Sequence, residues 1–314
     1  MIEFQAPQLE DKPWVDALLA QSQFQGCEYT FTNLFLWSQL YQTKITQLDG
    51  FLLVWFQRDK GCHYLLPAGQ GDLKRVMEKV RQDRHCQAQP LRLSGVTEEG
   101  KERLDTLFPG RFLYEHDPGL DDYLYRAERL ATLAGKKLHG KRNHINRFTT
   151  LYPDWSVEPL RADNVKDCWI VEKAWAGAVN QENLKDGTEA GEEAKGESRA
   201  LRLALCHQKE LGLEGAVLRV AGQPVAFTLG GRLNRDTFDV HFEKAVPEVQ
   251  GAFSMINREF VRMILARHPE IHWINREEDL GLPGLRQAKR SYDPDGMVVK
   301  YRATLQGEAP LWTD

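Results

Sequence analysis

Apolar residues along this chain gather in short runs separated by turn signals, and the same order of runs occurs twice. Lys44 to Gln47 and Phe51 to Phe56 read as a hairpin around Asp49-Gly50, a dipeptide suited to a two-residue turn. Tyr64 to Leu66 is a third strand, and Gly69-Gln70-Gly71 is a loop. Asp72 then caps a helix running to about Asp83. Leu91 to Leu93 reads as a strand, Thr97 opens another helix, and Phe112 to Tyr114 is a strand. In the second half Gly215 to Val220 and Pro224 to Leu233 form a hairpin around Ala221-Gly222-Gln223, and Thr237 to Glu243 is the third strand. A loop through Pro247 and Gly251 leads to a helix ending near Arg267. Ile271 to Ile274, a helix opening at Pro283, and Met297 to Tyr301 close the series. Helical segments precede each series: Glu10 to Ala20 and Asn33 to Leu40, then Asn164 to Trp175 and Glu192 to Leu211. Gln181 to Gly196, rich in Glu and Gly, reads as a solvated loop running into a helix.

Short strands interspersed with helices imply an α/β (α+β) fold built on mixed sheets, with two related domains in tandem. The division expected is 1–128 and 129–314. At 314 residues each half is large enough for its own core.

Three stretches carry candidate chemistry. Thr237 to Glu243 alternates strictly, so Phe238, Val240 and Phe242 are expected on one face and Asp239, His241 and Glu243 on the other. Three titratable groups on one sheet face would serve general acid–base work if that face lines a cleft, and would be a solvated side if it does not. The run Asn275 to Tyr292 packs acids and cations into one turn and the helix after it. Leu285, Ala288 and Tyr292 fall on one helical face by the three-and-four spacing, and Arg286, Lys289 and Arg290 on another. Acids at a strand end and cations on the following helix suit an anionic or carbonyl-bearing substrate, although the same charges could pair with one another. Gly135 to Phe148 is the densest basic stretch, with Lys136, Lys137, Lys141 and Arg142 around the start of an amphipathic helix. A helix start with cations grips phosphate, as found on tRNA or coenzyme A. Gly251, at another helix start, would let backbone N–H groups approach an anion.

Composition narrows the classes. The net charge of -4 argues against a general nucleic-acid coat while leaving room for a local basic patch. No apolar run approaches the ~18 residues of a membrane span. The first residues have neither a basic nor an apolar leader region, so a soluble cytoplasmic protein is expected. Five cysteines without a C-x-x-C pair fit a reducing compartment. Cys62-His63 and His85-Cys86 invite a zinc reading, but adjacent side chains on a strand point to opposite faces, so no metal is expected.

Taken together, the order hairpin, polar strand, Gly-bearing loop, helix, strand, helix, strand resembles the GNAT (acyl-CoA N-acyltransferase-like) fold, and two copies resemble tandem-GNAT proteins. Asp122-Tyr123-Leu124-Tyr125, Leu130 to Lys137, Lys141 to Asn146, His241 to Ala245, Arg276 to Gly281 and Gly284 to Tyr292 are similar to an uncharacterised bacterial family related to the C-terminal catalytic domain of phosphatidylglycerol lysyltransferase. The resemblance covers nearly the whole chain. It implies an acyltransferase that takes an aminoacyl group from aminoacyl-tRNA to a small amine or hydroxyl acceptor. The alternatives are an acyl-CoA-dependent N-acyltransferase and a non-catalytic module that binds tRNA or an amino acid. The loop Gln250-Gly251-Ala252-Phe253-Ser254 departs from the Gln/Arg-x-x-Gly-x-Gly/Ala form of acetyl-CoA users. With the resemblance as guide, Asp279 or Glu243 is expected as base or as anchor of the substrate amine, and His241 as proton relay. Arg286, Lys289 and Tyr292 are expected to face an oxyanion or a phosphate. Lys136, Lys137, Lys141 and Arg142 are expected to hold the carrier, with Gly251 beside them.

Overall fold

The computed structural model describes residues 2–58, 61–83, 90–183 and 189–307, and of 178–183 and 189–194 the backbone alone. His85-Cys86 therefore lies outside the described residues. In chain order the strands are β1 (Lys44–Leu48), β2 (Phe51–Arg58), β3 (Gly61–Leu65), β4 (Ala68–Gly69), β5 (Arg92–Val96), β6 (Phe112–His116), β7 (Asp122–Arg126), β8 (Trp155–Pro159), β9 (Glu214–Val220), β10 (Gln223–Arg232), β11 (Thr237–Ala245), β12 (Trp273–Asn275), β13 (Gly296–Val298) and β14 (Tyr301–Leu305). They form two seven-stranded mixed sheets. One has the order β1-β2-β3-β5-β14-β6 with β4 beside β2, the other β13-β7-β12-β11-β10-β9-β8.

The repeat anticipated from the sequence is present in the pairing. β1, β2 and β3 run antiparallel in series and β3 pairs parallel with β5. β9, β10 and β11 do the same, and β11 pairs parallel with β12. The hairpin turns have the expected chemistry: Asp49 and Gly50, and Ala221 and Gly222, all take positive φ, as turns matched to the strand twist require. Asp72 and Thr97 cap their helices by accepting from Arg75 N and Gly100 N.

The division of the chain differs from the expected one. One compact unit comprises Met1–Asp122 with Val298–Asp314, the other Tyr123–Met297. The stretch read as a single closing strand, Met297 to Tyr301, is split between β13 and β14, which belong to different sheets. In each sheet the strand beyond the parallel one is distant in sequence: β14 beside β5, and β7 beside β12. Local periodicity carries no information on such pairings, so the expected boundary fell too late and missed the return of the chain end.

In the first unit the core gathers Phe51, Leu53, Val76, Met77, Leu93, Leu104, Phe108 and Ala303. Buried Lys300 donates to Asp122 at 2.7 Å and to Glu28 at 3.0 Å. In the second unit Tyr125, Leu130, Ile145, Phe148, Phe238, Val240, Ile256, Phe260 and Ile274 form the core, beneath the helix Ala252–Arg267. The Gln181 to Gly196 segment is more helical than expected: helices span Val165–Asn183 and Glu189–Cys206. No helix among the described residues is long and apolar enough to cross a membrane.

Candidate active site

The second unit's sheet forks at its centre. β11 and β12 pair only at Thr237↔Trp273, Phe238↔Ile274 and Asp239↔Asn275, while β11 continues to Ala245. From Val240 onward its β12-side edge has no strand partner among the described residues. The side chains of His241 and Glu243 are 2% and 7% exposed, yet each residue as a whole is half-buried. What stays open is therefore their main chain.

A β-bulge sits in the same place. β10 and β11 keep one register from Ala226↔Ala245 to Leu229↔Phe242 and another from Gly230↔Val240 onward. His241 is the extra residue, and an extra residue inverts the alternation of faces. Phe238 and Val240 before it and Ala245 after it belong to one core, and Glu243 reaches Asn257 of the helix on that side. Lys244 turns the other way, 2.7 Å from Glu172 and 4.0 Å over the Trp175 ring. Asp239, His241 and Glu243 thus do not share the single polar face expected of strict alternation. Gly230 permits the bulge, since a Cβ there would lie 2.2 Å from the Asp239 carbonyl oxygen.

Two buried polar groups flank the bulge. His241 Nδ1 lies 3.1 Å from Glu277 Oε1 and 3.5 Å from Asp239 Oδ2. A carboxylate only accepts, so Nδ1 carries the proton. Nε2 has no hydrogen-bond partner among the described residues. The ligand atoms of Asp239, His241 and Glu277 lie within 4.8 Å of one another, so these are the residues here that could hold a cation. On the other side Glu243 Oε1 accepts from Arg276 Nη2 and Oε2 from Asn257 Nδ2, both at 2.9 Å. The Arg276 guanidinium lies 4.7 Å over the Tyr292 ring, and Tyr125 meets that ring edge-on at 6.4 Å. Burial pushes the Tyr292 hydroxyl up to about 12, with Arg276 opposing and Glu243 adding. Lys141 Nζ stands 3.8 Å over the same ring. Burial first, then the charge of Arg276, bring its ammonium down to about 8 against the pull of Glu243.

The loop after β12 is fastened from within. Glu277 adopts φ +55° and Leu280 +53°, a conformation that is uncommon for side chains with a Cβ and needs support from its surroundings. Lys289 supplies it by donating to the carbonyls of Arg276, Glu277 and Glu278. Asp279 is buried and fully engaged: Arg286 donates through Nε (2.8 Å) and Nη2 (3.0 Å), Tyr123 Oη at 2.7 Å, and Gly281 N at 2.9 Å. The Arg286 hydrogen bonds, against burial and with help from Tyr123 and Gly281, hold its carboxyl down to about 2.

These positions revise several expectations. Asp279 is not placed as a base, since both oxygens are taken and its carboxyl gives up its proton too readily. Arg286 and Lys289 hold the loop through Asp279 and three carbonyls. The Pro283–Arg290 helix buries Lys289, not an apolar face: Ala288 is exposed, and Tyr292 lies past the helix end. Arg142 donates to the carbonyls of Leu133 and Gly135, Lys137 pairs with Asp293 at 2.9 Å, and Lys136 is exposed. A Cβ on Gly251 would lie 2.6 Å from the His144 carbonyl oxygen, so this glycine serves close helix packing. Glu243, Tyr292 and Lys141 are brought together, and His241 lies on the same strand. Arg276, Asn257 and Glu277 were not singled out, although Arg276 and Glu277 stand in the charged turn that drew attention. Asn257, on an otherwise apolar helix face, gave a weak signal.

The chain matches the family described as phosphatidylglycerol lysyltransferase, C-terminal, over residues 19–304. Over 259 residues, 73% of this chain and 79% of the relative, it is 21% identical to an uncharacterised protein of Mycoplasmoides gallisepticum. A crystal structure of a conserved protein of unknown function from Bacteroides thetaiotaomicron is similar at TM-score 0.89 and 38% identity, covering 98% of this chain and 100% of that one. The C-terminal domain of a candidate lysylphosphatidylglycerol synthetase from Agrobacterium fabrum is similar at TM-score 0.64 and 11% identity, over 95% and 91% of the two chains. FemX is similar at TM-score 0.61 and 10% identity, over 96% and 97%; these last two likenesses speak for the fold. Sequence and fold together show that the chain belongs to the phosphatidylglycerol lysyltransferase C-terminal family.

Proposed function

We propose that the protein transfers an aminoacyl group from aminoacyl-tRNA to a small amine or hydroxyl acceptor, at the fork between β11 and β12. The observation that carries this reading is the open main-chain edge of β11 beside the buried Glu243–Arg276 pair. An acyl carbonyl docked along that edge meets fixed main-chain dipoles, and such preorganised donors stabilise the oxyanion that forms on attack. Each Glu243 oxygen accepts one hydrogen bond from protein and has a lone pair left, so Glu243 can anchor a substrate ammonium. Family membership supports acyl transfer.

Two observations favour tRNA over coenzyme A as carrier. The loop Gln250-Gly251-Ala252-Phe253-Ser254 departs from the Gln/Arg-x-x-Gly-x-Gly/Ala form of acetyl-CoA users, and its glycine serves close packing on the His144 carbonyl. A cavity of about 220 Å³ is lined by Leu133, His139, Arg142, Asn143, Asn146 and Arg258, of which Arg258 also pairs with Glu259. That lining suits a phosphate of a nucleic-acid backbone. The test is binding: tRNA affinity should fall steeply with salt through release of counterions, and coenzyme A should leave the melting temperature unchanged. A salt-independent tRNA affinity, or a rise in melting temperature with coenzyme A, would overturn this choice of carrier.

A further inference from the structure

We propose that Lys141 is the proton acceptor of this site, taking the proton from the acceptor's ammonium group as it becomes the nucleophile. The inference rests on the reading that the acceptor is an amine, and names the residue that activates it. Lys141 lies one helical turn after Lys137, but the two differ in setting. Lys137 is exposed and gives its ammonium to Asp293. Lys141 is half-buried, over the face of Tyr292 at 3.8 Å. Arg276 lies over the same ring at 4.7 Å, so two cations share one aromatic ring. The groups that act on its charge are Arg276 from the loop after β12, Glu243 from β11 and Tyr292 from beyond the last helix, with Tyr125 beside Arg276. Glu243 is already hydrogen-bonded to Arg276, so its charge offsets that of Lys141 only in part. Burial and Arg276 both disfavour the ammonium and bring it down to about 8. Lys141 is thus a base matched to neutral pH, and it is open enough to be reached.

The step balances. The acceptor ammonium gives one proton to Lys141 Nζ, its freed lone pair attacks the ester carbonyl, and a C–N bond forms. On collapse the ester C–O bond breaks, the second proton on the attacking nitrogen passes to the departing ribose oxygen to leave a neutral amide, and the Lys141 ammonium gives its proton to water. No oxidant or other reactant is consumed.

Competitive trace labelling of the full chain with acetic anhydride between pH 6 and 11, read by peptide mass spectrometry, reports the amine without any turnover. Lys141 should label with a midpoint near 8, and near pH 7.5 its free-amine fraction should exceed that of an ordinary exposed lysine by roughly 10²-fold. Transfer assays on Lys141→Arg and Lys141→Met, with melting curves to confirm folding, then test the role. Arginine keeps the positive charge but cannot accept the proton, so both variants should lose the limb of the kcat/KM profile near pH 8. Labelling of Lys141 together with ordinary exposed lysines, or an unchanged limb in Lys141→Arg, would overturn the proposal. A midpoint near 8 in a wild-type protein that transfers nothing to any amine would refute the aminoacyl reading, and the role with it, while leaving the free amine established.

Discussion

Asp279 shows how much a charge pattern reveals and where it misleads. The acid–cation run from Arg276 to Arg290 was visible as a run, and the pairing of Asp279 with Arg286 is there at 2.8 Å. Its purpose was not legible, because charge order does not say which carboxylate ends up with every lone pair used. The structure makes Asp279 a fastening, so Asp279→Asn should weaken the fold. Its carboxyl falls from the ordinary 3.8 to about 2, and a pK unit is worth ~1.4 kcal/mol. The gross effect is about 2 kcal/mol, less some screening because the Arg286 side chain is 34% exposed. A carboxyl held down in the folded state contributes stability that is full above pH 3.8 and lost as pH falls through about 2. Asp279→Asn should therefore lower the unfolding free energy by about 1–2 kcal/mol at pH 7, with the gap to wild type closing towards pH 2. Urea titrations at several pH values measure this, and a pH-independent gap would contradict it.

At the scale of elements, the hairpins, the Asp72 and Thr97 caps and the strand β11 were readable because turns, caps and periodicity are local. The bulge was not. One extra residue at His241 leaves no mark in a run that alternates on both sides, yet it sends Glu243 to Asn257 and Lys244 to Glu172. Gly230 is its companion, since only a residue without a Cβ lets the Asp239 carbonyl approach to this distance. Gly230→Ala should cost at least 1–3 kcal/mol, and should weaken substrate binding as the fork shifts. A variant with wild-type stability and activity would show that the bulge does not depend on that close approach.

For the whole molecule, the repeat of two similar units was legible, but the exchange of distant strands was not. β14 lies between β5 and β6 and brings Lys300 to Asp122 and Glu28. A fragment ending at residue 128 lacks both, so it should fail to fold cooperatively. A fragment spanning 123–297 retains β7 to β12 and should melt as a unit, which calorimetry of the two fragments will decide. The central claim concerns the fork in that second unit. Its most direct test is transfer of radiolabelled amino acids from a mixed aminoacyl-tRNA pool to small amines and hydroxyl compounds, comparing wild type with Glu243→Gln. Glutamine keeps the shape but loses the charge that would anchor an ammonium, so the rate should fall by about 10²-fold or more; because the change also leaves buried Arg276 without its carboxylate, the rates are compared well below the melting transition of both proteins. Equal rates in the two proteins, or transfer that survives when the fork is blocked, would contradict the account.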